Sequence, residues 1–419
     1  MPPRPRPGVP RLGALPDYQC YSCHSCDDCC RGNLSVPVTP EEAEAIRAQG
    51  WAEEPGFVGR DLFIEHQGGL YLAQDGATGC IFLDPAGGCR IHARFGLEAK
   101  PLACRLYPHV FVPVGREARV DLHFDCSSVA ANLGRPLAAQ GDDLRAILPE
   151  VITTERFAPV PLRPGIEWTQ MRLDRLTAAF EAILTAPDLE LTRRLAGLVN
   201  LTHVLNNPGL AGLRPDETDT LLTAATARIL EALAADPLHR RRLPAGLRLM
   251  FRQHLGLYGR QDRLVAGPGW AQRVPHVLRL LSGHARVPRL RPDWPDVRFR
   301  ELEGNWGPLP AEVEAVFERY YRVKVQAQSF CGQSFHGADY LSGALALWLT
   351  YPIICWLARL YALAEGRREL TVEDAQRALR VADHRHGRTL QQRQPADLKR
   401  AEALCAREVL RALIITYGS

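Results

Sequence analysis

Nine of the twelve cysteines in this chain lie between residues 20 and 126, and five of them fall within eleven residues: Cys20, Cys23, Cys26, Cys29 and Cys30. The other four are Cys80, Cys89, Cys104 and Cys126. Thiolates are the soft ligands that hold zinc and iron–sulfur clusters. A C-x-x-C turn lets two sulfurs face one centre, and here the turn is iterated. Disulfides are a poor account of so many thiols in a reducing compartment, and independent buried cysteines would not repeat at C-x-x-C spacing. Metal ligation is the expected chemistry.

Four thiolates complete either a zinc site or a [4Fe–4S] site, so spacing alone does not choose between them. The eight cysteines from Cys23 onward suffice for two such sites, with Cys20 left over or exchanging in. Alternatively, one cluster is ligated and the other thiols stand beside it. Cys29 and Cys30 are neighbours and are expected to point apart, towards different centres. The run is neither the bacterial ferredoxin C-x2-C-x2-C-x3-C-P pattern nor C-x3-C-x2-C. His24, His92 and His109 are near cysteines but are read as outer partners or surface residues rather than ligands. Arg105, directly after Cys104, is a candidate to offset the negative charge of a thiolate centre or to bind an anionic group. Tyr107 is expected to pack beside the cluster and donate a hydrogen bond.

The elements that position these thiols are short. Thr39, Pro40, Glu41 and Glu42 mark a helix start, and Gly50 its end. Strand-like triplets follow at Leu62–Ile64 and Leu70–Leu72, then a run from Cys80 to Leu83. Short helical pieces cover His92 to Tyr107. A hairpin with one arm at Val110–Val112 and the other at Val120–Phe124 delivers Cys126. From residue 168 the apolar spacing is helical: Met171, Leu173, Leu176, Phe180 and Ile183 set the pattern. Further helices are expected at 189–205, 216–235, 311–328, 338–364 and 371–384, then from Pro395 to about Ile415, with 286–308 irregular.

The fold class is therefore α+β, mainly α: a small cysteine-rich metal-binding α+β domain followed by a mostly helical domain. The expected division is a disordered arm at 1–17, the metal-binding domain at 18–148, a Pro-rich linker at 149–167 and the helical domain at 168–419. A chain of 419 residues with 46% hydrophobic content needs no disulfide scaffold. Its net charge of +4 does not argue for nucleic acid. Lysine occurs only at 100, 324 and 399, a compositional bias towards arginine. The Pro- and Arg-rich start has no apolar stretch of the secretory kind, so the expected compartment is the cytoplasm. Leu341 to Ala358 is long enough to cross a membrane, but Pro352 and Arg359 favour a buried core helix, and no membrane span is expected.

Several stretches together resemble one family. They are Tyr18-x-Cys20, Cys23-x-x-Cys26-x-x-Cys29-Cys30, Cys80-Ile81-Phe82-Leu83, Gly88-Cys89-Arg90-Ile91-His92, Cys104-Arg105-x-Tyr107-Pro108 and Phe124-x-Cys126. This order is similar to the zinc- or iron-chelating cysteine-cluster (YkgJ-like) family, which includes flagellin lysine N-methylases. A weaker likeness continues over Phe317 to Gly387. The resemblance implies an iron–sulfur protein, and in the methylase branch methyl transfer from S-adenosylmethionine to a protein lysine, with a flagellin-like or other surface protein as substrate. Two features depart from that branch. The spacing before the paired cysteines is tight, and the first Trp after them is Trp51. No strand–Gly-rich loop–helix unit for a nucleotide is present either. His384 and His386 are candidates for the base that a lysine nucleophile requires, although solvent-exposed histidines are the plainer reading. The competing functions are a non-catalytic zinc or iron module that docks a protein partner, and an electron-transfer protein.

Overall fold

The computed structural model describes residues 9–32, 35–66, 68–75, 79–153, 157–210, 212–235, 243–259, 274, 286–291, 293–387 and 395–418. The class is α+β and mainly α, with small sheets in the N-terminal region between residues 11 and 136 and a mostly helical part beyond.

A small lobe forms first. Pro40–Arg47 is a helix closed by a reciprocal capping box: the Glu42 amide donates to Thr39 Oγ1, and the Thr39 amide donates to the Glu42 carboxylate. Gly69–Leu72 is the central strand between Pro37–Val38 and Phe63–His66, both antiparallel to it. Trp51 packs on Phe57 and Phe82, with ring centroids 5.2 and 5.4 Å away, and these rings anchor a core of their own. The run expected as a strand from Cys80 to Leu83 is one only at Gly79–Cys80, which pairs with Gln74–Asp75. It then turns, and Leu83 bridges to Cys89.

The hairpin His109–Val114/Glu117–Leu122 is the joint between the lobe and the helices. Arg11–Leu12 adds a third, parallel strand against Glu117 and Ala118. The arm expected to be disordered is thus part of the fold from residue 9, with Leu12 and Leu15 packed on the core, while residues 1–8 lie outside the described residues. Alternation then splits the following segment in two. Leu122 and Phe124 enter the helical core, whereas His123 and Asp125 face the other way, towards the cysteines.

That core crosses the expected boundary at residue 148. It is continuous from Phe111 to Tyr417. The Pro-rich stretch is no free linker either: Pro149 lies inside the helix Gly141–Val151, Leu162 and Trp168 are buried, and the amides of Tyr340 and Leu341 donate to the carbonyls of Pro161 and Leu162. The helices Gln170–Leu184, Leu191–Leu205, Pro215–Ala235, Ala311–Ala327 and Val372–Arg385 match the spacing in the sequence. The last expected helix is two, Pro395–Leu404 and Arg407–Tyr417. Tyr340–Ala364 has the length and hydropathy to cross a membrane, but here it is the buried central helix. Its fully buried Arg359 is held by the carbonyls of Leu302 and Tyr417 at 3.1 and 2.9 Å.

Lys324 ties the joint to the helices. Its ammonium donates to Asp121 at 3.0 Å and to the Leu122 carbonyl at 3.0 Å, and lies 2.9 Å from Asp383. Asp383 in turn accepts the Phe124 amide at 2.7 Å.

One buried histidine gives the helical body an acid limit. Burial, aided by the Arg400 charge, pulls the His254 pKa down to about 4. The folded state therefore binds fewer protons than the unfolded chain between the ordinary histidine value of about 6.5 and 4. Stability is lost as pH falls through that window, by about 3 kcal/mol at its lower end. Urea unfolding at pH 7 and pH 4 is expected to show this loss in the wild type and a smaller one in His254→Leu; equal losses would assign the acid limit elsewhere.

Candidate metal centre

Five cysteines converge on one cavity of about 270 Å³: Cys29, Cys30, Cys80, Cys89 and Cys104. Each arrives on a different kind of local structure. Cys29 and Cys30 lie on the single helical turn Asp28–Arg31. Cys80 ends a two-residue strand, Cys89 sits just before the helix Arg90–Phe95, and Cys104 is on the helix Leu102–Leu106. The remaining wall is largely apolar, from Val36, Leu72, Phe82 and Ile91, with Lys100, Tyr107 and His123 as its polar members.

The residues between the cysteines hold this arrangement. Asp27 accepts the Gly88 amide at 2.9 Å, one residue before Cys89. Asp28 accepts from Ser127, one residue after Cys126, and pairs with Arg380 at 2.8 Å. Gly79, with φ +105°, presses against the backbone of Cys30; a Cβ there would come within 2.1 Å of the Cys30 carbonyl oxygen. A side chain at residue 79 would therefore part Cys80 from Cys30.

Burial raises the Cys80 thiol to about 11 and the Cys104 thiol to about 12, with the charges of the other cavity cysteines adding to the rise. Lys100 opposes it at both positions. Cys29 and Cys30 are 3.9 Å apart and share a proton: the S–H of one stabilises the thiolate of the other, so Cys29 is lowered and Cys30 raised. A soft cation that replaced these protons would supply the missing positive charge.

The other four cysteines lie outside this cavity. The charge of Cys26 acts on Cys126, whose thiol burial pushes up to about 11. Cys23, Cys126 and Cys26 act on Tyr21 together with Cys29 of the cavity set, and burial raises that phenol above its ordinary value. Cys20 is held by its backbone: it pairs with Pro136, and its amide donates to Asn132 at 2.6 Å. The nine thiols thus divide into a cavity set of five and an outer set. Cys29 and Cys30, expected to serve different centres, line the same cavity.

Tyr107 packs at the cavity as expected, but its hydroxyl donates to Asp125 at 3.0 Å rather than to a sulfur. Burial and the Asp125 charge keep that phenol protonated, well above the ordinary tyrosine range. Arg105 is not among the cavity residues. Its guanidinium is taken by Glu98 at 2.8 Å and Glu150 at 2.5 Å, so it does not face the thiols. The cation at the cavity is Lys100, which the sequence reading passed over because it adjoins no cysteine.

Histidines are redistributed in the same way. His24 contacts Ser128 at 3.1 Å, His92 is exposed, and His109 is kept neutral by burial, with its pKa near 4. The imidazole at the cavity is His123, stacked on Tyr107 at 5.7 Å. His384 and His386 are half-buried rather than solvent-exposed: His384 contacts Asp125 at 3.0 Å and His386 contacts Tyr258 at 3.1 Å. The alternation of Val120, Leu122 and Phe124 was the signal for His123, since it places 123 and 125 on the face opposite to the core.

A soft donor set, largely apolar walls and one nearby cation are the chemistry of a thiolate metal centre. No curated protein and no solved structure matches the chain. Residues 22–127, which hold eight of the nine clustered cysteines and exclude Cys20, match the CxxCxxCC family, described as a candidate zinc- or iron-chelating domain.

Proposed function

We propose that the cavity set holds an iron–sulfur cluster, with Cys80, Cys89, Cys104 and one or both of Cys29 and Cys30 as ligands. The spread of the sulfurs carries this reading. Tetrahedral zinc at a Zn–S distance of about 2.3 Å draws its sulfurs to roughly 3.8 Å from one another. Among the described residues, no three thiols lie within 4.8 Å of one another. An iron–sulfur cluster interposes its own atoms between the cysteines and suits a wider ring of thiolates. The cavity volume of about 270 Å³ agrees with a polynuclear occupant rather than one ion.

Anaerobic purification with iron, sulfide and zinc analysis tests this reading. Iron and acid-labile sulfide in similar amounts, with visible absorption that bleaches on reduction, are expected. A colourless protein carrying zinc alone would overturn it, and with it the electron-transfer and methyl-transfer readings.

The motif likeness extends the proposal to S-adenosylmethionine-dependent methyl transfer to a protein lysine. The sheets have two or three strands each, so no doubly wound nucleotide-binding sheet is present among the described residues. The cofactor would have to be recognised at the cluster or in the helical body. Calorimetry of the cluster-loaded chain with S-adenosylmethionine separates the readings: binding supports the methylase, and no binding favours electron transfer. Exposure of Cys29 at the cavity rim favours the latter, since electrons need a short path to a partner.

A further inference from the structure

Lys100 is the one Lys or Arg among the described residues that line the thiol cavity, and no Asp or Glu among them lines it. Its place is set by the backbone on both sides. The Lys100 amide donates to the Leu97 carbonyl at 3.1 Å, closing the single turn Leu97–Ala99. Pro101 follows and caps the helix Leu102–Leu106, which carries Cys104, and the Leu102 amide donates to the Glu42 carboxylate at 2.6 Å. From this fixed point one ammonium acts on sulfurs that three separate elements deliver: Cys29 on its helical turn, Cys80 on its strand and Cys104 on its helix. The other basic group close by in sequence, Arg105, is taken up by Glu98 and Glu150. The arginine bias of the chain does not account for a lysine here. Only three of its 51 basic residues are lysines, and a guanidinium would bring five planar donors to a wall that is largely apolar.

We propose that Lys100 tunes the reduction potential of the centre in this cavity, holding it less negative than the thiolates alone would set it. The proposal rests on the iron–sulfur reading above. Four thiolates make such a centre anionic, and net charge is one of the factors that fix its potential. One electron taken up adds negative charge, so a fixed ammonium beside the sulfurs stabilises the reduced form more than the oxidised one. Val36, Leu72, Phe82 and Ile91 give the cavity a largely apolar wall, where a charge acts more strongly than in water. No bond forms or breaks in the side chain of Lys100, which stays protonated throughout. The electron comes from an external one-electron donor, supplied in the test as dithionite.

Mediated redox titration of the anaerobically purified full-length chain, followed by visible absorption and electron paramagnetic resonance, reads the potential directly. Lys100→Met is expected to lower the ratio of reduced to oxidised centre at a fixed poise by about ten-fold, which is about 59 mV for one electron. Lys100→Arg keeps the charge and is expected to stay close to the wild type. Arg105→Met is expected to shift the ratio by less, because Glu98 and Glu150 already answer that charge outside the cavity. A loaded Lys100→Met with the wild-type potential overturns the proposal and leaves the cluster reading standing. An equal shift in Arg105→Met overturns it as well, since any nearby charge would then serve. A wild type without iron and sulfide removes the cluster reading and this proposal together. Where Lys100→Met assembles no centre, Lys100→Arg decides. Assembly in Lys100→Arg assigns the effect to the charge, and failure in both assigns it to the shape of the side chain and overturns the proposal.

Discussion

Cys104→Ser is expected to empty the cavity centre, and Cys26→Ser to leave it filled. Cys104 lines the cavity with four other thiols, on a helix whose neighbours Pro101 and Ala103 also form the wall. Serine removes a soft donor and offers a hydroxyl in its place, so cavity metal is expected to fall by more than about ten-fold. Cys26 is exposed and outside the cavity, and its electrostatic neighbours include Cys29, Asp28 and Arg380. Metal analysis after anaerobic purification separates the two variants. Full retention in Cys104→Ser would break the ligand assignment, and equal loss in both would break the division into two sets. Loss of metal is also expected to loosen the small lobe, whose own core is limited to eleven buried residues around Trp51 and Phe82. Limited proteolysis should then cut between residues 20 and 106, while the helical far-ultraviolet signal persists.

Lys324→Met is expected to cost about 3–5 kcal/mol, the penalty for leaving buried charge without its partner. The ammonium is 7% exposed and lies between Asp121 and Asp383, which are 6% and 3% exposed. Burial already raises the Asp121 carboxyl, and the Lys324 charge is what opposes this. The variant faces two carboxylates across an apolar side chain, and uptake of a proton relieves their repulsion. Urea midpoints measured on metal-stripped proteins should show the loss, and Lys324→Met combined with Asp121→Asn should recover part of it. An unchanged midpoint would mean that the triad contributes nothing to stability, whatever its geometry.

The convergence of Cys29, Cys30, Cys80, Cys89 and Cys104 was legible in the sequence because ligation chemistry restricts residue type so tightly. What surrounds the thiols was not, because adjacency in sequence is a poor guide to direction in space. Arg105 follows Cys104 on a helix, where successive side chains diverge by about 100°; its charge goes to Glu98 and Glu150 instead. Lys100 reaches the cavity from a position with no cysteine beside it. Asp27 and Asp28 looked like spacers in a C-x-x-C run, yet each grips a residue next to a distant cysteine. The helices read well, since a 3.6-residue period survives whatever the helix packs against. The boundary at 148 read poorly. Proline content marks a linker only when the intervening apolar residues stay in water, and here Leu162 and Trp168 are both buried.

The tie between Phe124 and Asp383 has a bearing on the timing of assembly. The cavity residues are all made by residue 123, but the partner that fixes the next residue, Phe124, follows 259 residues later. At synthesis rates of roughly 5–20 residues per second, that interval is on the order of 10–50 s. For that time the lobe emerges as a nascent fold with its thiols in place and no helical body to anchor it. The same holds for Gln19, which waits for Arg319. Oxidation or premature metal capture therefore has its widest opening on the ribosome, and the finished chain closes it by docking the lobe through the strand Glu117–Leu122 and the turn after it, which carries His123 and Asp125.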